Sequence, residues 1–167
     1  LERDGQLVMP DQNRVITPHP FFRIFATMNT VGLGNLSGLY HGTQLLNHAQ
    51  LDRWNIMATL DYLKADDEMA IVTARVAEFA SPDRQSMLRQ MVALAELTRE
   101  GFATGELSSL MSPRTVISWA ENVLVFHSLD LAFALSFLNR CEEPERMIVA
   151  EYFQRCFGRE LAYEKSS

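Results

Sequence analysis

The feature that most constrains this chain is a change in the spacing of its apolar residues near Lys64. Before that point, apolar residues gather in two short runs, at 21–28 and 55–63. After it, they recur every three or four residues, as the buried face of successive helices requires. We therefore predict a mostly α-helical fold with an α/β segment at 1–63 and an all-helical domain at 64–167.

Turn residues and apolar runs predict the elements of the α/β segment. Gly5 to Thr17 is typical of a β-hairpin, because two apolar stretches flank the turn Pro10-Asp-Gln-Asn. The runs at 21–28 and 55–63 are typical of sheet strands that are covered on both faces. Between them we predict a glycine-rich loop over 29–42 and a short helix over 43–51.

Capping residues predict where the later helices begin and end. Pro82 should open a long helix, and Ser112 should cap the next one, with a proline at its first helical position. Ser128 should cap a further helix through Leu138. Pro144 should open the last helix and Gly158 should end it.

Composition excludes several classes of protein. The net charge of −6 and a pI near 5.2 argue against a nucleic-acid-binding surface. No apolar run approaches the length of a transmembrane helix. Cys141 and Cys156 are too few for a disulfide framework and lack zinc-ligand spacing, so we predict two reduced thiols in the core of a cytoplasmic protein. Because the chain opens on Leu1, we expect it to be part of a longer protein.

Asn29 is the first candidate site residue. It ends the apolar run Phe-Ala-Thr-Met-Asn, where a carboxamide can orient a water by both donating and accepting a hydrogen bond. Attack of water on a terminal phosphate requires such a group. The alternative is that Asn29 and Thr30 simply begin a turn.

Arg53 is the second candidate and stands beside Asp52, between a predicted helix and a predicted strand. An arginine at such a junction can reach a phosphate on a neighbouring subunit and neutralise charge in the transition state. The alternative is a surface ion pair with Asp52, which contributes about 0–1 kcal/mol.

Arg114 is the third candidate and lies in the first turn of the helix that Ser112 caps. The helix dipole disfavours a cation there, but a bound phosphate would remove the penalty and would itself be attracted to the helix start. The alternative is a solvated surface arginine.

Other patterns are not interpreted as sites. The glycine-rich stretch at 32–38 lacks the Lys-Ser or Lys-Thr of a phosphate-binding loop, and 66–68 are better explained as helix N-terminal acids. The four histidines have no metal-ligand spacing, so we predict no metal site, and His127 is interpreted as a core histidine on an apolar stripe.

With these residues in view, the chain resembles the CobS-type subunits of cobaltochelatase, which are AAA+ ATPases of the MoxR and magnesium-chelatase clade. The stretches that carry the resemblance are Arg14-Val-Ile-Thr-Pro-His-Pro, Phe22-Arg-Ile-Phe-Ala-Thr-Met-Asn-Thr, Gly38-Leu-Tyr-His-Gly-Thr-Gln, Gln50-Leu-Asp-Arg-Trp, Ser112-Pro-Arg-Thr-Val-Ile-Ser-Trp-Ala-Glu-Asn and Phe153-Gln-Arg-Cys-Phe-Gly. The resemblance implies that 1–63 is the carboxyl-terminal half of an AAA+ α/β core and that 64–167 is the helical lid. It also implies catalytic roles for Asn29 as sensor 1, Arg53 as arginine finger and Arg114 as sensor 2, with Asn29 and Arg114 binding the nucleotide.

The family further implies a homo-oligomeric ring that hydrolyses ATP with Mg²⁺ and works with CobT-type and CobN-type subunits to insert cobalt into a corrin ring in aerobic cobalamin synthesis. This chain lacks the family's phosphate-binding loop and acidic Walker B strand, so we expect the fragment alone to be inactive and to hold no nucleotide. Two alternatives stay open: another MoxR-type ATPase that remodels a metalloenzyme, and a non-catalytic helical adaptor.

Overall fold

The structure is a computed structural model that describes residues 5–28 and 48–162, with the backbone alone at His48. The chain divides into two compact units, Leu1–Leu60 and Asp61–Ser167. Within the described residues, the secondary structure is mostly helical with one small antiparallel sheet, which confirms the predicted fold class.

The first unit contains the predicted hairpin. Strand β1 (Leu7–Met9) pairs antiparallel with β2 (Arg14–Ile16), with Val8 opposite Val15. A 3-10 turn joins them and ends at Asn13 in the left-handed conformation, with φ of 47°. Asparagine is one of the few residues other than glycine that adopt this conformation readily. The short helix α1 (His48–Leu51) falls within the predicted 43–51 helix, most of which lies outside the described residues.

The prediction of sheet strands at 21–28 and 55–63 is wrong for the described chain, in which the hairpin alone forms a sheet. A strand exists through hydrogen bonds to a neighbouring strand, and no described residues pair with these two runs. Their apolar side chains are uncovered, with Phe25 92% exposed and Leu60 90% exposed. The apolar composition of these two runs therefore predicted that they would be buried, but the described residues do not cover them.

The second unit is helical, as predicted. Its described residues form five α-helices, which are α2 (Ala65–Arg75), α3 (Pro82–Thr104), α4 (Pro113–Phe126), α5 (Leu129–Ser136) and α6 (Glu143–Phe157). Short 3-10 turns follow α2 and α5. Within the described ranges, no helix is both long and apolar enough to cross a membrane.

The predicted caps are confirmed at both kinds of helix end. The hydroxyl oxygens of Ser112 and Ser128 accept from the backbone N–H groups of Thr115 at 3.4 Å and Leu131 at 3.2 Å. Gly158 ends α6 with φ of 69°, a conformation that favours glycine.

His127 is not a core histidine, so that prediction is wrong. Helix α4 ends at Phe126, and His127 caps it in the left-handed conformation with φ of 50° and an exposed side chain. The helical spacing that placed His127 on the apolar stripe no longer applies beyond the last helical residue.

An aromatic cluster in the core of the second unit joins α4, α5 and α6. The ring centroids of Trp119 and Phe133 are 4.8 Å apart, those of Phe133 and Phe153 are 5.4 Å apart, and those of Phe153 and Phe157 are 4.4 Å apart. The first two separations lie in the favourable range for aromatic pairs, and the third lies just below it. Cys141 is buried and Cys156 is half-buried, and both are free thiols, as predicted.

Gly101 allows α3 to approach α6 closely. A Cβ at this position would lie 2.9 Å from the Tyr152 hydroxyl oxygen and 3.2 Å from Leu107 side-chain carbons. We predict that Gly101→Ala lowers the free energy of unfolding by about 1–3 kcal/mol through overpacking, although alanine favours the helix intrinsically. Urea unfolding measures the change, with Ser86→Ala at an exposed position of α3 as the control. Unchanged or increased stability of Gly101→Ala would contradict the packing argument.

Two groups predict a loss of stability at alkaline pH. Burial, followed by the nearby Glu145 carboxylate, raises the pKa of Cys141 from 9.0 to about 11. Burial, followed by the hydrogen bond to Glu106, raises the pKa of Tyr152 from 10.0 to about 12. As the pH rises, each group ionises first in the unfolded chain, where its pKa is lower. The contribution of Cys141 to stability is therefore complete below pH 9 and is lost as the pH rises to about 11. The contribution of Tyr152 is complete below pH 10 and is lost as the pH rises to about 12.

The measurement is the slope of unfolding free energy against pH. Cys141→Ala should flatten it between pH 9 and 11, and Tyr152→Phe should flatten it between pH 10 and 12. Slopes identical to that of the unsubstituted chain would refute the assignment.

Candidate functional site

Asn29 lies outside the described residues, so its role as sensor 1 stays a prediction. The two other candidates are described in separate units, Arg53 in the first and Arg114 in the second. Each is therefore characterised by its own surroundings.

Arg53 is presented on the surface by a tight turn after α1. Its backbone N–H donates to the Gln50 carbonyl at 3.4 Å, and that of Trp54 donates to the Leu51 carbonyl at 3.0 Å. Trp54 is half-buried, whereas Asp52 and Arg53 are exposed. Among the described residues, the Arg53 guanidinium forms no ion pair, so the alternative pairing with Asp52 is not formed there. The turn leaves a cation available to a ligand or to another subunit.

Arg114 is the second residue of α4 and is exposed. The first turn of α4 contains no acidic residue, so nothing on this turn offsets the positive end of the helix dipole. No ion pair involves Arg114 in the part of the chain that the structure describes. A guanidinium beside an uncompensated helix start is an arrangement that favours an anion such as phosphate.

The start of α4 is rigidly capped. Besides accepting from the Thr115 N–H, the Ser112 hydroxyl lies 3.2 Å from the Thr115 hydroxyl, and the Ser112 carbonyl accepts from the same N–H at 2.8 Å. Pro113 fixes the backbone at the first helical position. The backbone that carries Arg114 is thereby ordered without a ligand.

The peptide just before this cap is held by two side chains of α3. The N–H of Met111 donates to the Thr98 hydroxyl at 3.0 Å. The carbonyl of Met111 accepts from Arg99 Nε at 2.7 Å. Met111 and Thr98 are fully buried, so both backbone groups of Met111 are satisfied by side chains inside the protein.

Arg99 is itself held by a buried carboxylate at the start of α2. Its Nη1 and Nη2 donate to Glu68 Oε2 at 2.8 Å and Oε1 at 2.7 Å. Glu68 is 0% exposed and Arg99 8% exposed. The guanidinium carbon also lies 4.3 Å from the centroid of the Tyr62 ring. All three guanidinium nitrogens therefore have partners, as a buried arginine requires.

Sequence reasoning missed this pair, although a signal was present. Residues 66–68 do lie in the first turn of α2, as predicted. Glu68, however, is four residues before the buried Val72, and Arg99 is four residues after the buried Ala95, so both charges lie on apolar helix faces. Opposite charges on two buried faces indicate a pair.

The described residues contain no group of three His, Cys, Asp or Glu side chains that could hold a metal ion. Burial raises the pKa of both thiols, which disfavours the thiolate that metals bind.

The chain is 55% identical over 161 residues to "Aerobic cobaltochelatase subunit CobS" of Sinorhizobium sp. The alignment covers 96% of this chain and 48% of that protein, so the chain spans about half the length of the curated relative that it matches. No protein-family profile and no solved structure matches it.

The identity extends over nearly the whole chain and includes both units. It confirms the resemblance predicted from the sequence motifs, and it supports a match between this chain and the carboxyl-terminal portion of an aerobic cobaltochelatase subunit of the CobS type.

Proposed function

We propose that this chain is the carboxyl-terminal part of the AAA+ motor subunit of a cobaltochelatase, which couples ATP hydrolysis to cobalt insertion into a corrin ring in aerobic cobalamin synthesis. The observation that carries the proposal is the 55% identity to CobS over 161 residues. The exposed arginines at the positions expected for the finger and for sensor 2 support it.

In this proposal, Arg114 acts as sensor 2 and binds the terminal phosphates of ATP. Charge on the phosphoryl oxygens must be neutralised during transfer, and a preorganised guanidinium does this without reorganisation at the moment of reaction. The capped, acid-free first turn of α4 supports this role, since it orders the backbone and leaves the charge uncompensated. ATP and Mg²⁺ would be held mainly by the phosphate-binding loop and acidic strand of the full-length protein.

Arg53 and Asn29 complete the proposed site. Asn29 would orient the attacking water, and Arg53 would reach the nucleotide of the adjacent subunit in a homo-oligomeric ring. The exposed turn that carries Arg53, and the lack of an ion pair to it among the described residues, support action in trans.

Cobalt is substrate in this proposal, handled by a large CobN-type subunit with a CobT-type partner. The motor would contribute mechanical work in the cytoplasm, without contacting nucleic acid or membrane. Assay of ATP hydrolysis and cobalt insertion by the full-length protein, with and without its partner subunits, tests the proposal. Full cobalt insertion without ATP hydrolysis would refute it.

We predict that Arg53→Ala in a full-length CobS-type protein containing this sequence leaves ATP binding nearly intact and lowers hydrolysis by roughly 10³-fold or more, the scale of arginine fingers. Arg53→Lys should restore little, because an ammonium cannot reproduce the planar fork. Calorimetry measures binding and phosphate release measures turnover.

Mixed rings test whether Arg53 acts in trans. Arg53→Ala is combined with a second variant that lacks the lysine of the phosphate-binding loop, and each variant is inactive alone. Mixed rings contain interfaces at which both groups are intact, so part of the activity should return. Mixed rings that assemble but hydrolyse no ATP would show that Arg53 does not act across the interface.

We predict that Arg114→Ala in the same full-length protein lowers ATP hydrolysis by roughly 10²–10³-fold, as removal of one preorganised transition-state donor does. Arg114→Lys should retain more activity than Arg114→Ala, because part of the charge interaction survives. Arg140→Ala, which removes an exposed arginine from the turn after α5, serves as the matched control and should leave hydrolysis unchanged.

A further inference from the structure

We infer that Thr98 and Arg99 of α3, with Glu68 of α2, are positioning residues that set the place of Arg114 by clamping the peptide of Met111. The inference deepens the proposed function, because it rests on a phosphate-facing role for Arg114. None of the three residues contacts the proposed ligand; they act through the backbone.

The chain from Met111 to Arg114 has little freedom once Met111 is fixed. Both backbone polar groups of Met111 bond to α3 side chains, at 3.0 Å to Thr98 and 2.7 Å to Arg99. Ser112 follows as a side-chain cap and Pro113 has a fixed φ. A displacement of Met111 is therefore passed to the backbone of Arg114, three residues later, which carries the guanidinium.

Glu68 makes the clamp stiff. Its two oxygens bind both terminal nitrogens of Arg99, which leaves Nε directed at the Met111 carbonyl. The pair is buried, and a buried charge that loses its partner is strongly destabilising, so the arginine cannot swing away without a large penalty.

Stability alone does not account for this choice of residues. Replacing a buried ion pair with well-packed apolar side chains is often neutral or stabilising. Helices α2 and α3 already contribute apolar residues to one core, such as Met69 and Val72 from α2 and Leu88 from α3. Apolar side chains at 68 and 99 could not bond the Met111 carbonyl. The feature that only the ion pair provides is a directed donor to the backbone before α4.

The first experiment measures the clamp directly, by amide hydrogen exchange on the 167-residue chain. Thr98→Val keeps the shape but removes the hydroxyl, so the Met111 amide should exchange on the order of tenfold faster, the equivalent of one lost hydrogen bond. Thr98→Ser keeps the hydroxyl and should restore protection. Arg99→Lys, which loses the planar guanidinium that bonds both Glu68 and Met111, should also accelerate exchange of the Met111 and Thr115 amides.

The matched control is a second arginine fork in the same unit. Arg159, in the segment after α6, donates two hydrogen bonds to the carboxylate of Asp130 on α5, at 2.8 and 2.7 Å. Arg159→Lys should leave the Met111 amide protected. Equal protection of Met111 in Thr98→Val and in the unsubstituted chain, or equal acceleration by Arg159→Lys, would overturn the inference.

The second experiment asks whether the clamp acts through Arg114, in the full-length protein. Thr98→Val should lower ATP hydrolysis by roughly tenfold while Thr98→Ser retains it, and Thr98→Val should cause no further loss in an Arg114→Ala background. Two results would overturn the inference. One is that Thr98→Val lowers hydrolysis equally with and without Arg114→Ala; the other is that Thr98→Val alone lowers nothing although Arg114→Ala is impaired. Normal hydrolysis by Arg114→Ala itself would instead refute the proposed role of Arg114, and hydrogen exchange at Met111 would still decide whether the clamp exists.

Discussion

The contact on which the helical unit depends is the aromatic cluster of Trp119, Phe133, Phe153 and Phe157. Trp119 is fully buried on α4, and its ring packs against Phe133 of α5 and Phe157 of α6. Its indole N–H donates to the Leu129 carbonyl at 3.1 Å, so the largest core side chain also has its polar atom satisfied. One residue thus fixes the middle of α4 against two helices, while Arg114 in the first turn of α4 remains exposed. A site at that turn is consequently built on a rigid element.

Charged side chains in this unit tie connecting segments to helices. Arg99 bonds the Met111 carbonyl before α4, and the Asp130 carboxylate binds Arg159 and accepts from the Ala162 N–H at 3.2 Å after α6. Glu145 of α6 accepts from the Ser108 N–H at 2.6 Å, between α3 and α4. Apolar packing is non-directional and orients helices only approximately. The directed bonds define where the intervening backbone lies, and Arg99 places one of them just before α4.

The sequence predicted the parts of this structure that depend on local signals. Ser112, Pro82 and Gly158 act through their own backbone and immediate neighbours, so the helix ends they mark could be recognised without tertiary information. The Glu68–Arg99 pair joins residues 31 positions apart, and its signal in the sequence was a charged residue on the apolar face of each of two helices. His127 was misassigned for a different reason, because periodicity does not show where a helix stops. The motifs predicted the positions of the candidate site residues, but their arrangement around a ligand depends on contacts distant in sequence.

The first unit shows this dependence most clearly. The runs at 21–28 and 55–63 have the composition of doubly covered strands, yet Phe25 is 92% exposed and Ile56 is 86% exposed. Large uncovered apolar surfaces indicate an interaction site. The chain matches 48% of CobS, so a full-length protein of that type has roughly as much sequence again to cover these runs. The helical unit buries its apolar residues with its own helices, whereas these two runs need contacts that the described residues do not supply.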